Sequence, residues 1–159
     1  MTSRYEDLAK LAIRDSQNFY QEQEGCSDCA AMAISQLAEY LQAPAETVSF
    51  VKLGSDFRST GEKSQRPDLR FSPDGAWHFG IKIYFRESQA LNYGVVTLYL
   101  NIQSSGHGYK LTFDREFMVD NANPDSFNAF VDHVYTSLAS DYGKNFRIRR
   151  PQIGFLAGA

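Results

Sequence analysis

The clearest pattern in the chain is an alternation of apolar and polar residues in its middle. Five large apolar residues alternate with polar or small ones between residues 76 and 87: Trp77, Phe79, Ile81, Ile83 and Phe85. The same two-residue period returns over 93–103 and 108–114. This period is typical of strands with one buried face, and short connections favour antiparallel pairing. The pattern predicts three consecutive antiparallel strands, which Phe117 and Val119 extend by one more.

The alternation also restricts how the first two strands can pair. Outward residues have even numbers in the first strand and odd numbers in the second. Facing residues must therefore have numbers with an odd sum, because an even sum would turn one apolar set toward solvent. We expect pairs such as Lys82 with Tyr99, or Tyr84 with Thr97.

Helical periodicity flanks the predicted strands on both sides. Apolar residues recur at steps of three and four over 4–22 and again over 28–42, and Gly25 is expected to end the first of these helices. A last helix is predicted to begin at Pro124 and to end at Gly143. The predicted fold class is α+β, with two N-terminal helices, an antiparallel β-meander of three to five strands, and one C-terminal helix packed on one sheet face.

Three segments carry no clear periodicity. Residues 45–53 fit a short helix or a strand, because Pro44 suits a helix start whereas the β-branched content suits a strand. Residues 54–75 are expected to form a long polar loop, in which Leu69 and Phe71 can form a short edge strand, and 151–159 either a docked arm or a flexible tail. Since a domain takes roughly 100–200 residues, the whole chain, 1–159, is predicted to be a single globular domain.

The charge balance limits the classes of partner. The chain has 159 residues and a net charge of −3, although residues 144–159 hold four basic residues and no acidic one. An acidic protein gains little from phosphate neutralisation, so binding to duplex nucleic acid is not expected. No apolar run approaches the ~18 residues of a membrane span, and the acidic N-terminus does not match a secretory signal. We therefore expect a cytoplasmic protein without membrane association.

The two cysteines, Cys26 and Cys29, lie beside the predicted start of the second helix. A thiol in the first turn of a helix has a lowered pKa, so Cys29 is a candidate nucleophile, with His107 as its base. A redox pair, part of a zinc site, and an inert buried pair are the other interpretations. No second ligand pair at zinc spacing and no phosphate-binding loop occurs, so no metal and no cofactor are predicted. His133 and Asp114 are assigned no role.

The residues around the cysteines loosely resemble the cysteine segment of papain-like thiol proteases. The likeness rests on Gln23, Cys26 and Cys29 and spans about ten residues. Ser27 and Ala30 stand where that family has glycine and tryptophan. The resemblance implies a thiol protease-like hydrolase as the alternative function, and it does not assign the family.

The main functional hypothesis uses the second face of the predicted sheet. Tyrosines, amides and cations of the kinds enriched at recognition surfaces alternate onto that face. They are His78, Lys82, Tyr84, Arg86, Thr97, Tyr99, Asn101 and Lys110. An antiparallel sheet can also leave one face wet without any ligand. We predict a small non-catalytic binding or adaptor protein that holds a protein partner on this face, with homo-oligomerisation left open.

Overall fold

A long helix, an antiparallel sheet and a second helix follow one another along the chain. The computed structural model describes residues 3–88 and 91–149, with side chains over 3–85 and 94–141. The elements are α1 (Arg4–Leu41), β1 (Val48–Leu53), β2 (Ser59–Ser64), β3 (Arg70–Phe71), β4 (Trp77–Ser88), β5 (Leu91–Ser105), β6 (Gly108–Phe113), β7 (Arg115–Val119), a 3₁₀-helix (Pro124–Phe127) and α2 (Asn128–Arg149). The α+β class is confirmed.

The described strands form one antiparallel sheet of seven strands. Its order is β2-β1-β4-β5-β6-β7, and the short β3 pairs with the first residues of β4 beside β1. The three predicted strands are therefore present as β4, β5 and β6, and the predicted extension is β7. The meander is longer than expected, because β1, β2 and β3 join it on the other side of β4.

The register of β4 against β5 has the predicted parity. Lys82 lies opposite Thr97 and Tyr84 opposite Val95, so each pair of numbers has an odd sum. The expected pairs, Lys82 with Tyr99 and Tyr84 with Thr97, differ from the observed pairs by two residues along β5. A displacement of two changes the partner and keeps each side chain on its face, because side chains alternate with a period of two.

Both helices contribute to a core on one face of the sheet. Its sheet side consists of apolar residues of β1 and β4–β7: Phe50, Trp77, Phe79, Ile81, Ile83, Leu98, Leu100, Ile102, Leu111, Phe117 and Val119. The second half of α1 contributes small buried residues, among them Cys29, Ala30 and Ala33, and α2 contributes Phe130 and Val134. The small side chains of α1 let the helix lie close to the strands.

The prediction of two N-terminal helices is wrong, because α1 continues through Gly25 without interruption. A Cβ atom at this position would overlap the hydroxyl group of Tyr109, and Asn121 Nδ2 donates a hydrogen bond to the Gly25 carbonyl oxygen at 3.1 Å. Gly25 therefore admits the Tyr109 ring against the helix. Glycine inside a helix costs only about 1 kcal/mol relative to alanine, so the helix tolerates it.

The segment 54–75 is not one long loop, because it contains β2 and β3, and Phe71 of the predicted short edge strand lies in β3. The strand β2 pairs with β1 through the backbone, and the Thr60 hydroxyl donates to the Lys52 carbonyl oxygen at 3.0 Å. Residues 45–53, ambiguous in sequence, include the strand β1. The helix α2 runs past Gly143 to Arg149, so the predicted stop at Gly143 is wrong. Residues 151–159 lie outside the described residues.

A first prediction compares the two faces of β4. Phe79 is 1% exposed in the core, whereas Lys82 lies on the opposite face. We expect Phe79→Ala to lower the free energy of unfolding by about 3–5 kcal/mol and Lys82→Ala to lower it by about 0.5 kcal/mol or less. Urea denaturation of both variants measures the difference. Equal losses would contradict the assignment of the core to one face.

A second prediction tests the close approach at Gly25. On helix propensity alone, Gly25→Ala would stabilise α1 by about 1 kcal/mol. We expect a net destabilisation instead, because the new methyl group overlaps the Tyr109 ring. In a Tyr109→Ala background the same Gly25→Ala change should become stabilising. A double-mutant cycle by chemical denaturation measures this coupling, and additive effects would show that the two residues do not compete for space.

Candidate functional site

The second face of the sheet carries the predicted binding residues, but most of them are only half-exposed. Between β4 and β5, His78 lies opposite Asn101 and Lys82 lies opposite Thr97. On β6, Lys110 is two residues from Thr112, which lies opposite Asn101. Tyr99 is 39% exposed and is the most open of the predicted set with described side chains. The side chain of Arg86 lies outside the described residues.

The connection between β1 and β2 folds over one part of this face. The Phe57 ring lies against the imidazole of His78, with 4.8 Å between the ring centroids. The Arg58 guanidinium lies 5.2 Å from the centroid of the Tyr99 ring, and the backbone N–H of Ser59 donates to the Tyr99 hydroxyl at 3.1 Å. This connection therefore uses His78 and Tyr99 as packing and hydrogen-bonding partners within the chain.

The imidazole of His78 also takes part in the tight turn that precedes β4. Its Nε2 lies 3.1 Å from the hydroxyl of Ser72, which donates to Asp74. This hydrogen bond from Ser72 holds the pKa of Asp74 below its usual value. The serine bridges the carboxylate and the imidazole, whereas a catalytic triad places the imidazole between the other two groups. The arrangement organises the turn and does not activate a nucleophile.

The cations of this face contact neighbouring side chains. The ammonium groups of Lys63 and Lys82 lie 4.5 and 5.4 Å from the centroid of the Tyr84 ring. Lys110 forms an ion pair with Glu116 on β7, with 3.6 Å between nitrogen and oxygen. Cation–π contacts at such distances stabilise the sheet modestly. The cationic groups of these lysines therefore already interact with other side chains of the chain.

The cysteines are buried in the middle of α1. Cys26 and Cys29 are both 0% exposed, and burial raises the pKa of each thiol to about 12. The prediction that Cys29 lies at or near the first turn of a helix is wrong, so the lowering of its pKa by a helix N-terminus does not apply. His107 lies exposed in the turn between β5 and β6. Neither residue has the surroundings that the hydrolase hypothesis requires.

In the described part of the chain, residues 94–100 of β5, the overhang, have a neighbouring strand on one side only. β4 pairs with β5 along its length, whereas β6 pairs only with residues 101–105 of it. Over residues 94–100, no described strand lies on the β6 side of β5. This overhang arises because β6 is short and the chain reverses immediately after Phe113, over the single residue Asp114, whose φ is +64°.

The direction of the backbone groups along this overhang follows from the neighbouring strands. The Tyr84 N–H donates to the Thr47 carbonyl oxygen at 2.8 Å, on the β1 side of β4. Backbone groups alternate in direction along an antiparallel ladder, so Val95, opposite Tyr84, directs its N–H and C=O away from β4. Thr97 does the same, two residues further on. The overhang therefore directs backbone donors and acceptors toward the side on which no described strand lies.

A groove of about 720 Å³ lies between this overhang and α2. Its lining combines hydroxyl groups, two carboxylates and two aromatic rings. The lining residues are Thr97, Tyr99, Phe113, Asp114, His133, Thr136, Ser137, Ser140 and Asp141. Thr97 and Tyr99 belong to the predicted binding set, whereas the groove's other residues were missed by the sequence analysis.

In this groove, a histidine of α2 contacts a carboxylate in the turn between β6 and β7. His133 Nε2 lies 3.1 Å from Asp114 Oδ2, and the His133 side chain is 18% exposed whereas that of Asp114 is 72% exposed. The rings of Phe113 and Phe117 lie within 6.0 Å of the imidazole, measured between centroids. His133 therefore fixes the carboxylate of Asp114, which remains accessible to a further hydrogen-bond donor.

The groove presents hydroxyl, carboxylate and imidazole groups that can form hydrogen bonds. In the described part of the chain, the hydrogen bond of His133 goes to Asp114 and not to a hydroxyl nucleophile. Among these residues no three His, Cys, Asp or Glu side chains come together as a metal site would require. Neither α1 nor α2, within residues 3–88 and 91–149, has an apolar stretch long enough to cross a bilayer.

Comparisons with protein-family models, with curated proteins and with solved structures found no match.

A third prediction concerns the thiols. With a pKa of about 12 in place of 9, a thiol at pH 8 has about a thousandfold less thiolate. We expect iodoacetamide to modify Cys26 and Cys29 slowly in the folded protein and at the rate of free cysteine in 6 M guanidinium chloride. Mass spectrometry of timed samples measures both rates. Rapid modification of Cys29 in the folded protein would contradict its burial and revive the hydrolase hypothesis.

Proposed function

We propose that this protein is a non-catalytic binding protein that holds an extended segment of a protein partner along the overhang of β5. The single observation that carries the proposal is the stretch 94–100, which has no described strand on its β6 side. A peptide that pairs with such an edge gains main-chain hydrogen bonds, and side-chain pockets beside the edge select its sequence.

The composition of the overhang supports this use. Residues 94–100 read Gly-Val-Val-Thr-Leu-Tyr-Leu and contain no charge and no proline. Proteins usually protect exposed edges with charged residues, prolines, bulges or short strands. The outer strand β2 has Glu62, Lys63 and a left-handed Gly61, and the outer strand β7 is short and begins with Arg115 and Glu116. The overhang lacks the features that prevent strand addition at these two edges.

The groove beside the overhang suggests the kind of segment that fits. Asp114 supplies an exposed carboxylate, and Thr136, Ser137 and Ser140 of α2 supply hydroxyl groups. A strand added to β5 would direct alternate side chains toward these residues. We therefore expect a preference for basic or hydroxyl side chains at alternate positions of the partner.

This proposal keeps the protein partner of the sequence hypothesis and moves the site. Thr97 and Tyr99 stay in it, while His78, Lys82 and Tyr84 lie one strand further from the overhang. Contacts within the chain already engage the rings of His78, Tyr84 and Tyr99. The proposal therefore relies on the backbone groups of the overhang more than on these rings. A cytoplasmic setting, where the thiols stay reduced, remains part of the proposal.

A fourth prediction tests the overhang through its backbone. In the free protein we expect the amides of Val95 and Thr97 to exchange hydrogen rapidly and those of Val96 and Leu98 slowly, because the latter two face β4. Peptides selected from a random display library should then protect Val95 and Thr97. Nuclear magnetic resonance resolves these four amides individually.

Two substitutions at one position provide the matched control. Thr97→Pro removes the outward N–H and should weaken binding of a selected peptide by about tenfold or more. Thr97→Val keeps the backbone groups and the shape, so binding should change by about twofold or less. Loss of binding in Tyr84→Ala but not in Thr97→Pro would contradict strand addition and place the partner on the sheet face.

A further inference from the structure

The first half of α1 extends beyond the rest of the domain. Phe19 is the first residue of the helix whose ring contacts the sheet. Its ring centroid lies 5.3 Å from that of Phe71 and 5.1 Å from that of Trp77. Before it, Tyr5, Leu8 and Leu11 are 80%, 66% and 57% exposed. The segment is nevertheless helical from its first residue.

The start of this helix is defined locally. Ser3 is the N-cap: its hydroxyl accepts from the Glu6 N–H at 3.1 Å, and the Glu6 carboxylate accepts from the Ser3 N–H at 3.3 Å. Such a capping box fixes where a helix begins. A solvated helix of about 12–15 residues is only marginally stable in water by itself, so its exposed leucines need an explanation beyond local propensity.

The exposed apolar residues continue the buried face of α1. Arg4, Leu8, Leu11, Asp15 and Phe19 follow one another at steps of three and four, and residues at these steps share one helix face. The same steps lead on to buried residues of the second half, Cys26, Cys29, Ala33 and Leu37. The core-facing side of the helix therefore extends past the sheet as an exposed stripe, Arg4–Leu8–Leu11–Asp15.

We infer that this exposed stripe is covered by the same stripe of a second copy of the chain, with the two helices antiparallel. The stripe has a cation at one end, an anion at the other and two leucines between them. In an antiparallel pair in which facing residue numbers sum to 19, Arg4 meets Asp15 of the second copy and Leu8 meets its Leu11. Each end then forms an ion pair, and the centre is apolar.

Other occupants fit this charge pattern less well. In a parallel pair Arg4 would face Arg4 and Asp15 would face Asp15, which repel one another. A helix that lies on a lipid surface keeps its charges on the face opposite its leucines, whereas here Arg4 and Asp15 belong to the leucine stripe. The overlap in the antiparallel pair spans residues 4–15, about 18 Å of helix, and it ends before Phe19, where the helix meets its own sheet.

The test is the oligomeric state of the full chain and of two matched variants. Leu11 and Ile13 are 57% and 59% exposed on the same part of α1, but Ile13 lies on another face. By analytical ultracentrifugation from micromolar to millimolar concentration we expect the parent chain and Ile13→Glu to dimerise with similar dissociation constants. Leu11→Glu should raise the dissociation constant by about tenfold or more. Circular dichroism verifies that both variants keep their helix content.

The orientation is tested by exchanging the charges. Arg4→Glu and Asp15→Arg should each weaken the dimer, and the double variant Arg4→Glu/Asp15→Arg should restore it. A monomer at every concentration would overturn the inference, as would equal weakening by Leu11→Glu and Ile13→Glu. A dimer that Thr97→Pro disrupts and Leu11→Glu does not would also overturn it, because the copies would then pair through β5. Peptide binding at β5 is measured separately, so either proposal can fail alone.

Discussion

The pairing of β4 with β5 is the constraint on which the rest of the structure depends. Because facing residues have numbers with an odd sum, Phe79 and Ile81 of β4 fall on the same side as Leu98 and Leu100 of β5. That side becomes the surface on which α1 and α2 pack. The same register places Val95 opposite Tyr84, and so determines which backbone groups of β5 point away from the sheet. Core and candidate site are thus two consequences of one register.

Elements with strong periodicity could be predicted from the sequence, and elements held by distant contacts could not. The strands β4, β5 and β6 have apolar residues at every second position, so burial on one face specifies them locally. β2 reads Ser-Thr-Gly-Glu-Lys-Ser, has no apolar periodicity, and is a strand because β1 offers it a backbone partner. Gly25 is compatible with a helix end in sequence, but in the structure it lies inside α1 and leaves room for the Tyr109 side chain.

Only some side chains of the candidate site could be predicted from the sequence. Thr97 and Tyr99 could be placed on one face from alternation alone. Asp114 and His133 are 19 positions apart on a turn and a helix, and no spacing rule connects them. What could have drawn attention to the overhang is strand length, since the alternation of 93–103 is longer than that of 108–114. Two antiparallel strands of unequal length leave part of the longer one without a neighbour.

The burial of the cysteines also has a consequence for the chain during its synthesis. Cys26 and Cys29 lie in the first element, whereas most other residues of their buried cluster come from β4–β7 and the C-terminal helices. A growing chain therefore exposes both thiols until nearly the whole sheet has been made. During that interval they have the reactivity of ordinary cysteines. After the sheet and helices close, burial in the core protects both thiols.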